Sequence, residues 1–429
     1  MANDRIKQSK PPLVYQIKLK GHLPDDWSDW FGGLNVSRDE AGNTLLIGDV
    51  VDQARLHGLL KRIRDAGIEL ISLNPVTEEH DDITSNIEQR KQMQNQEINM
   101  MTTMKMVIQT QYGTPDVLQL VEVEKPAPAD NEVLVKIHAT TVTATEAVFR
   151  QGKPYFSRLF TGLTKPKIKT LGEELAGEIV AIGKDVTNFK VGDRVFGTAG
   201  PDFGANAGYL CVQADGVLAP MPHNVSYQEA AASVDGFLTA LPFLRDVGLI
   251  KSGQKVLING ASGSVGSAAV QIARYYGAEV TGVCSARNID LVKSLGADHV
   301  IDYTTEDFTR NGETYNIIFD AVGKITFSHS KDSLTPDGIF LESGMGLDIF
   351  RHVIWTSFVG SKKAKIAATG LRPPHERAKD LQLLKELMEE NIIKPVIDRS
   401  YPLTQISEAH RYVDTGRKRG NVVINIVNN

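Results

Sequence analysis

An eight-residue run rich in glycine, Asn259–Gly266 (NGASGSVG), constrains the fold of this chain more than any other feature. It follows the apolar segment Lys255–Ile258, which is typical of a buried strand, and it leads into Ser264–Tyr276, which we predict to be a helix. In a strand–turn–helix unit, such glycines let the backbone approach a pyrophosphate, and the helix N-terminus attracts the phosphate charge. The run therefore predicts a dinucleotide-binding turn at the edge of a parallel sheet.

The segments on the two sides of residue 228 follow different patterns. After it, strands alternate with helices, as in a doubly wound parallel sheet. Before it, short strands are punctuated by glycine and proline, which is typical of a small irregular barrel. The predicted strands of the parallel sheet are Lys255–Ile258, Glu279–Val283, His299–Asp302, Ile317–Asp320 and Gly338–Leu341, and those of the barrel are Val107–Gln111, Gln119–Val123, Glu132–Ala139 and Gly177–Gly183, with a last strand at Asn421–Val427.

The first hundred residues predict a separate unit. Residues 12–75 have the pattern of a small α+β module, and residues 76–103, which are rich in Gln, Asn and Glu, predict a polar linker. The module has predicted strands at Leu13–Lys20, Asn43–Asp49 and Ile68–Leu73 and a predicted helix at Asp52–Ala66. Trp27, Trp30 and Phe31 are expected to pack its core, and the alternative is a face that docks a protein or a ligand.

Composition and charge exclude several classes of function. The net charge of −5 gives no reason to expect binding to nucleic acid or to an anionic membrane surface. No apolar run approaches the roughly 18 residues needed to span a bilayer, so no membrane span is expected. The two cysteines, Cys211 and Cys284, lie far apart, which excludes a disulfide framework and a four-cysteine zinc site. We expect a soluble, cytoplasmic protein.

The strand after the glycine-rich run indicates which dinucleotide binds. NAD sites usually carry Asp or Glu at the end of this strand, where the carboxylate binds the ribose 2′-hydroxyl. Here Glu279–Val283 is followed by Cys284, Ser285, Ala286 and Arg287. Ser285 can donate a hydrogen bond and Arg287 can pair with a 2′-phosphate, so the sequence predicts NADPH. The alternative is that Arg287 is a solvated residue at a helix start.

Several longer motifs resemble those of the medium-chain dehydrogenase/reductases, specifically the zinc-free quinone oxidoreductase branch that includes zeta-crystallin. They occur in the family's order from about residue 104 to the end of the chain. The motifs are Tyr112–Leu118 (YGTPDVL), Gly172–Glu178 (GEELAGE), Phe189–Gly197 (FKVGDRVFG), Gly260–Gly266 (GASGSVG), Leu295–Tyr303 (LGADHVIDY) and Asp320–Gly323 (DAVG). The resemblance implies an α/β protein with a GroES-like β-barrel over 104–227 and 371–429, wrapped around a Rossmann NADPH-binding domain over 228–370. It also implies a homo-oligomer, most simply a dimer.

Residue by residue, the resemblance implies a cofactor site in the cleft between barrel and Rossmann domain. Its expected members are Ala261, Ser262, Gly263, Ser264, Val265 and Gly266 at the pyrophosphate, Ser285, Arg287 and Tyr303 around the 2′-phosphate, Val322, Gly323, Ser343 and Gly344 in loops beside the ribose and nicotinamide, Thr239 in a helix near the nicotinamide, and Asn421 late in the chain.

The chain departs from the zinc-dependent members of this family. Thr143 stands where they have cysteine, and Glu173 stands where they have histidine. A third ligand is also lacking, since the two cysteines are elsewhere, so no metal is expected. Many zinc-free relatives have asparagine at the position of Thr143, where it contacts substrate or nicotinamide.

Without a metal to polarise an alcohol, hydride delivery to an electron-poor acceptor is favoured. The sequence therefore predicts a reductase of quinones or α,β-unsaturated carbonyls, with Thr143 and Tyr155 nearest the developing oxyanion. A packing role is the alternative for Tyr155, and Glu146 and Glu174 are expected to brace loops. Two other functions stay open: a zinc-independent NADP-dependent alcohol or carbonyl dehydrogenase, and an NADPH-binding sensor or scaffold with little turnover.

Overall fold

The computed structural model describes residues 13–28, 30–39, 41–76, 102–344 and 347–426. The chain separates into two compact units, residues 1–101 and residues 102–429. Most of the segment predicted to be a linker lies outside the described residues.

The smaller unit is a four-stranded antiparallel sheet with one helix. Its elements are β1 (Leu13–Leu19), β2 (Asn35–Arg38), β3 (Thr44–Val50), α1 (Gln53–Asp65) and β4 (Leu70–Pro75), and the strand order is β2-β3-β1-β4. Asp52 caps α1, because its carboxylate accepts a hydrogen bond from the amide of Arg55. Leu59 and Ile63 of α1 pack on Ile17 and Leu46 of the sheet. β2 has no counterpart among the predicted strands.

The three aromatic residues of this unit have different exposures. Phe31 is fully buried in the core, and Trp27 packs against that core while partly exposed. Trp30 stacks edge-on against Phe31 at 4.8 Å between ring centroids, yet 42% of its surface is exposed. The predicted core role therefore holds for Phe31 and Trp27 and only in part for Trp30.

The larger unit contains the remaining elements. Its strands are β5 (Thr103–Gln109), β6 (Leu118–Glu124), β7 (Glu132–Val142), β8 (Glu174–Ile182), β9 (Arg194–Thr198), β10 (Tyr209–Gln213), β11 (Leu218–Pro220), β12 (Lys255–Asn259), β13 (Glu279–Cys284), β14 (His299–Asp302), β15 (Tyr315–Asp320), β16 (Leu334–Glu342), β17 (Lys363–Lys365), β18 (Ile397–Pro402) and β19 (Asn421–Asn425). Its helices are α2 (Ala144–Gln151), α3 (Arg158–Thr161), α4 (Tyr227–Pro242), α5 (Ser264–Tyr275), α6 (Ile289–Ser294), α7 (Phe327–Ser330), α8 (Leu347–Phe358), α9 (Pro374–Glu389) and α10 (Ile406–Asp414).

Two sheets dominate this unit. One is parallel, with strand order β14-β13-β12-β15-β16-β17, which is the Rossmann order with its switch between β12 and β15. The other has the order β11-β9-β8-β7-β19-β18, with β10 also paired to β7. Because β19 pairs antiparallel with β7, the two ends of the unit share one sheet. All five predicted strands of the parallel sheet are present, whereas the edge strand β17 has no counterpart in the predicted set.

Helix α4 connects the two sheets. It begins with a capping box, in which Ser226 and Glu229 each accept a hydrogen bond from the other's amide. Phe237, in the middle of α4, is fully buried in a core that also contains Phe196 of β9 and Ile258 of β12. The helix therefore fixes the parallel sheet relative to the barrel sheet.

A buried arginine connects α2 with α10. Arg150 is fully buried and its Nη2 lies 2.6 Å from a carboxylate oxygen of Asp414. Its Nη1 donates to the carbonyl of Gly113 at 2.6 Å, and its Nε donates to Nδ1 of His410 at 3.3 Å. Burial and the charge of Arg150 lower the pKa of His410 to about 3, so the ring is neutral and can accept this bond.

We expect Asp414→Asn to lower the free energy of unfolding by about 3 kcal/mol, because it leaves the Arg150 charge buried without a counter-ion. Chemical denaturation followed by circular dichroism measures the loss. Asp116→Asn is the matched control, since Asp116 pairs with Arg411 at the exposed surface and its loss is expected to be much smaller. Equal losses in the two variants would contradict the assignment of Arg150 and Asp414 as a stabilising pair.

Candidate functional site

The segment Asn259–Gly266, here called the nucleotide turn, lies between β12 and α5. Gly260 has a φ of +77°, which favours glycine. A β-carbon added at Gly266 would lie 2.1 Å from the carbonyl oxygen of Gly260, whereas one at Gly263 would have its nearest neighbour at 3.5 Å. Gly266 is thus required for close packing of helix on turn, and Gly263 leaves space above the turn for a ligand.

The first turn of α5 presents backbone donors to this space. Gly263 is the N-cap residue, and no side chain caps the helix. The first amide bonded within the helix is that of Ser267, which donates to the carbonyl of Gly263. The amides of Ser264, Val265 and Gly266 precede it and have no acceptor within the helix, so the helix start suits the negative charge of a pyrophosphate. This geometry fits a dinucleotide.

The end of β13 joins the nucleotide turn through a buried asparagine. Asn288 is 4% exposed, and its amide nitrogen donates to the hydroxyls of Ser262 at 2.9 Å and of Ser285 at 3.3 Å. Arg287 is exposed, and its Nη2 donates to the carbonyl of Arg417 at 2.7 Å, which leaves its other donors for a ligand. Tyr303, 62% exposed, follows β14 at the same sheet edge. These predicted 2′-phosphate residues lie on adjacent strand ends.

Two further loops lie at the carboxyl edge of the parallel sheet. Buried Asp320 ends β15, and its carboxylate accepts hydrogen bonds from the amides of residues 322–325 at 2.7–3.1 Å. A β-carbon added at Gly344 would lie 3.0 Å from the Cα of Gly323, so the loops after β15 and β16 touch. Val322 packs on Gly260, which joins both loops to the nucleotide turn. Ser343 donates to the carbonyl of Asp320 at 3.3 Å.

The last strand approaches the nucleotide turn from the barrel side. The amide of Gly420 donates to the carbonyl of Ser262 at 2.7 Å, and Lys418 donates to the carbonyl of Gly420 at 2.7 Å. Asn421 is 6% exposed, and its side-chain amide donates to the carbonyl of Val396 at 3.2 Å. Gly420 therefore contacts the turn and Lys418 holds the carbonyl of Gly420, while the amide donor of Asn421 is bonded to the protein itself.

Buried carboxyl groups surround the barrel side of the site. Glu174 is 1% exposed and accepts a hydrogen bond from Thr141 at 2.6 Å, which agrees with the expected bracing role. Burial raises the pKa of Glu174 well above its usual range, and the charges of Glu173 and Asp235 raise it further. Ser264 of α5 donates to Asp235 at 3.1 Å. A carboxyl that is protonated at neutral pH can donate a hydrogen bond.

Glu146 is the most completely buried of these carboxyls and lies in α2. It is 0% exposed, and burial raises its pKa to about 8. The hydroxyl oxygen of Thr143, the N-cap residue of α2, accepts a hydrogen bond from the Glu146 amide at 3.2 Å. Thr143 therefore has a structural role at this helix start, and its hydroxyl proton is free to reach another acceptor.

The remaining predicted residues lie in different surroundings. Thr239 is partly buried in α4, three residues after Gly236, where a β-carbon would lie 2.7 Å from the carbonyl of Ser264. Tyr155 is 69% exposed, with the guanidinium of Arg158 4.9 Å from its ring centroid. This exposure rules out a core-packing role for Tyr155, and its catalytic role stays a prediction.

Comparison with known proteins identifies the family. Residues 129–223 match the alcohol dehydrogenase GroES-like domain, and residues 295–424 match the zinc-binding dehydrogenase family. The chloroplast envelope quinone oxidoreductase homolog of Arabidopsis thaliana is 31% identical to this chain, over 72% of this chain and 93% of its own length. The chain belongs to the medium-chain dehydrogenase/reductase superfamily, among its quinone oxidoreductase-like members.

Other members of this superfamily show the same extent of similarity. The NADPH-dependent alkenal/one oxidoreductase of Arabidopsis thaliana is 29% identical over 75% of this chain and 79% of its own length. The structure of Escherichia coli quinone oxidoreductase complexed with NADPH superposes with a TM-score of 0.66 and 27% identity, covering 75% of this chain and 100% of that one. The predicted family and fold class are thus confirmed. Residues 14–74 match a domain of unknown function (DUF8691).

Some medium-chain dehydrogenases hold zinc, and the positions of Thr143 and Glu173 carry zinc ligands in them. The oxygen of Thr143 already accepts a hydrogen bond, and the carboxylate of Glu173 pairs with Arg377 at 2.9 Å. Within the described ranges, no group of three or more His, Cys, Asp or Glu side chains is arranged to hold a metal ion. The residues at these two positions do not fit a zinc site.

Asn288, Lys418 and Glu342 are among the residues of the site that have no counterpart among the predicted ones. Asn288 contacts Ser262, which lies 26 residues earlier, and no local pattern indicates such a contact. Glu342 follows an apolar run at the end of β16 and is 8% exposed. A charged residue that ends a buried parallel strand is a usable signal, because such ends form the ligand edge of the sheet.

For the described residues, no helix is long and apolar enough to cross a membrane.

We expect Gly266→Ala to reduce stability and Gly263→Ala to weaken NADPH binding. Alanine at Gly266 meets backbone at 2.1 Å, so it should lower the free energy of unfolding by about 1–3 kcal/mol. Alanine at Gly263 meets nothing that close, so the melting temperature should stay near that of the native protein while NADPH binding weakens. Differential scanning calorimetry and isothermal titration give the two readouts. A Gly263→Ala protein that binds NADPH normally would contradict this placement of the pyrophosphate.

Proposed function

We propose that this protein is an NADPH-dependent reductase that transfers hydride to a quinone or an α,β-unsaturated carbonyl without zinc. The observation that carries the proposal is the uncapped start of α5 at the nucleotide turn, with Arg287 at the end of the next strand. The cofactor assignment agrees with two relatives whose names include NADPH. A cytoplasmic location and a homodimer are part of the same proposal.

Bound NADPH would supply the hydride, and the residues of the protein orient the acceptor and stabilise the charge that develops on it. The amides at the start of α5 hold the pyrophosphate, and Arg287 pairs with the 2′-phosphate. The loops after β15 and β16 position the ribose and nicotinamide. The acceptor develops negative charge on oxygen, which the hydroxyl of Thr143 stabilises by donating its proton in a hydrogen bond. Tyr155, in the exposed segment before α3, is the second residue that we assign to the acceptor.

The proposed class of acceptor rests on the positive charge that is available to the acceptor oxygen. An alkoxide formed from an alcohol needs a strong positive charge at its oxygen, and the positive charge of Arg377 is already neutralised by Glu173. A quinone or an enone delocalises the negative charge it receives, so it needs only hydrogen bonds and orientation. The closest competing function, a zinc-independent dehydrogenase of alcohols, would require that charge from elsewhere.

A panel of acceptors tests the proposal. We expect rapid oxidation of NADPH with quinones and enones, measured by absorbance, and little reduction of NADP⁺ with alcohols. A chelator should leave both rates unchanged. Tight NADPH binding without turnover of any acceptor would favour the sensor or scaffold function instead.

Cofactor selectivity is expected to depend on Arg287. We expect Arg287→Ala to weaken NADPH binding about 10- to 100-fold, the loss of a hydrogen bond between charged groups, and to leave NADH binding unchanged. Fluorescence titration with both cofactors gives the two affinities. Arg310→Ala is the control, because Arg310 is an exposed arginine whose partner is Asp307. Equal losses for NADPH and NADH would refute a 2′-phosphate role.

A further inference from the structure

A nearly buried carboxyl lies between the two loops that follow β15 and β16. Glu342 ends β16 and is 8% exposed. One of its carboxyl oxygens, Oε1, would lie 3.3 Å from a β-carbon added at Gly344 and 3.9 Å from one added at Gly323. The absence of side chains at both glycines therefore leaves the carboxyl against the backbone of both loops.

This carboxyl belongs to the same sheet edge as the nucleotide turn. A β-carbon added at Gly260 would lie 2.5 Å from the side chain of Val322, the residue before Gly323. Asn259, which begins the nucleotide turn, donates to buried Asp320 at 3.0 Å. A dinucleotide whose pyrophosphate lies at α5 extends along this edge, across the switch between β12 and β15. Glu342, at the end of the strand next to β15, would then lie toward its ribose–nicotinamide end.

The groups around Glu342 are mostly acidic. Burial raises the pKa of Glu342 to about 7, and the charges of Asp320 on β15 and Asp348 on α8 add to this shift. Asp320 is neutralised in part by its amide donors, while Asp348 is paired with His352 at 3.2 Å. Near neutral pH the carboxyl of Glu342 is therefore present in both protonated and ionised forms, and a nearby charge can shift the balance.

We propose that Glu342 changes its protonation with the oxidation state of the cofactor, neutral beside reduced nicotinamide and ionised beside oxidised nicotinamide. The inference rests on the proposed function, since it needs the cofactor to lie along this edge. The reduced ring is uncharged and the oxidised ring carries a positive charge. A carboxylate beside the ring and shielded from water would stabilise only the oxidised ring.

Thermodynamic linkage gives the direction of the pH dependence. A positive ring lowers the pKa of the Glu342 carboxyl, so binding of NADP⁺ near neutral pH releases a proton. The affinity for NADP⁺ relative to NADPH therefore rises as pH increases through about 7. Both cofactor forms carry the same 2′-phosphate, so the titration of that phosphate cancels in the ratio.

The test is the ratio of the dissociation constants of NADPH and NADP⁺, measured by isothermal titration between pH 5.5 and 8.5. In the native protein we expect the ratio to shift toward NADP⁺ by on the order of tenfold, which corresponds to a displacement of the carboxyl pKa by one unit. Glu342→Gln should make the ratio independent of pH. Glu313→Gln is the control, because Glu313 pairs with Lys255 at the surface, and it should behave like the native protein.

Asp348→Asn supplies a second, independent readout. It removes a charge that raises the pKa of Glu342, so the midpoint of the pH dependence should move to lower pH while its size is kept. Asp348 is exposed, so this variant is expected to fold even if Glu342→Gln does not. A ratio independent of pH in the native protein, or an unchanged midpoint in Asp348→Asn, would overturn the inference. Failure of both cofactors to bind at every pH would overturn the proposed function itself.

Discussion

The packing of α4 against both sheets is the contact on which the rest of the larger unit depends. Phe237 lies in one continuous core with residues of the barrel sheet and of the parallel sheet. At Gly236 the helix comes so close to the start of α5 that a β-carbon would lie 2.7 Å from the carbonyl of Ser264. Since such close packing prevents α4 from sliding against either sheet, the barrel residues and the nucleotide turn are held at a fixed separation.

The electrostatics of the site follow from the same packing. Burial takes Glu146, Glu174 and Glu342 out of water and raises the pKa of each. Zinc dehydrogenases place a metal ion in this region, whereas this chain has arginine and carboxyl pairs, such as Arg377 with Glu173.

Local patterns predicted much of the fold and part of the site. The parallel strands and the nucleotide turn were predictable, because buried strands are apolar throughout and the turn needs glycine at given positions. β2, β9, β10, β11, β17 and β18 were not predicted. Of these, β2, β11 and β17 have only three or four residues, and such short segments carry no measurable periodicity. The partners of Asn288 and Arg287 were missed for another reason, because the contacts with Ser262 and Arg417 depend on segments that only the folded chain brings together.

One of these contacts also bears on when the site can form during synthesis. Arg287 donates to the carbonyl of Arg417, a residue 130 positions later in the chain, and Gly420 pairs with the nucleotide turn. When the parallel sheet has been synthesised but residues 417–425 have not, the cofactor cleft of the nascent chain still lacks one side. The cleft closes only after β19 has left the exit tunnel and joined β7. The cofactor cleft is therefore completed by a segment that is synthesised after the whole parallel sheet.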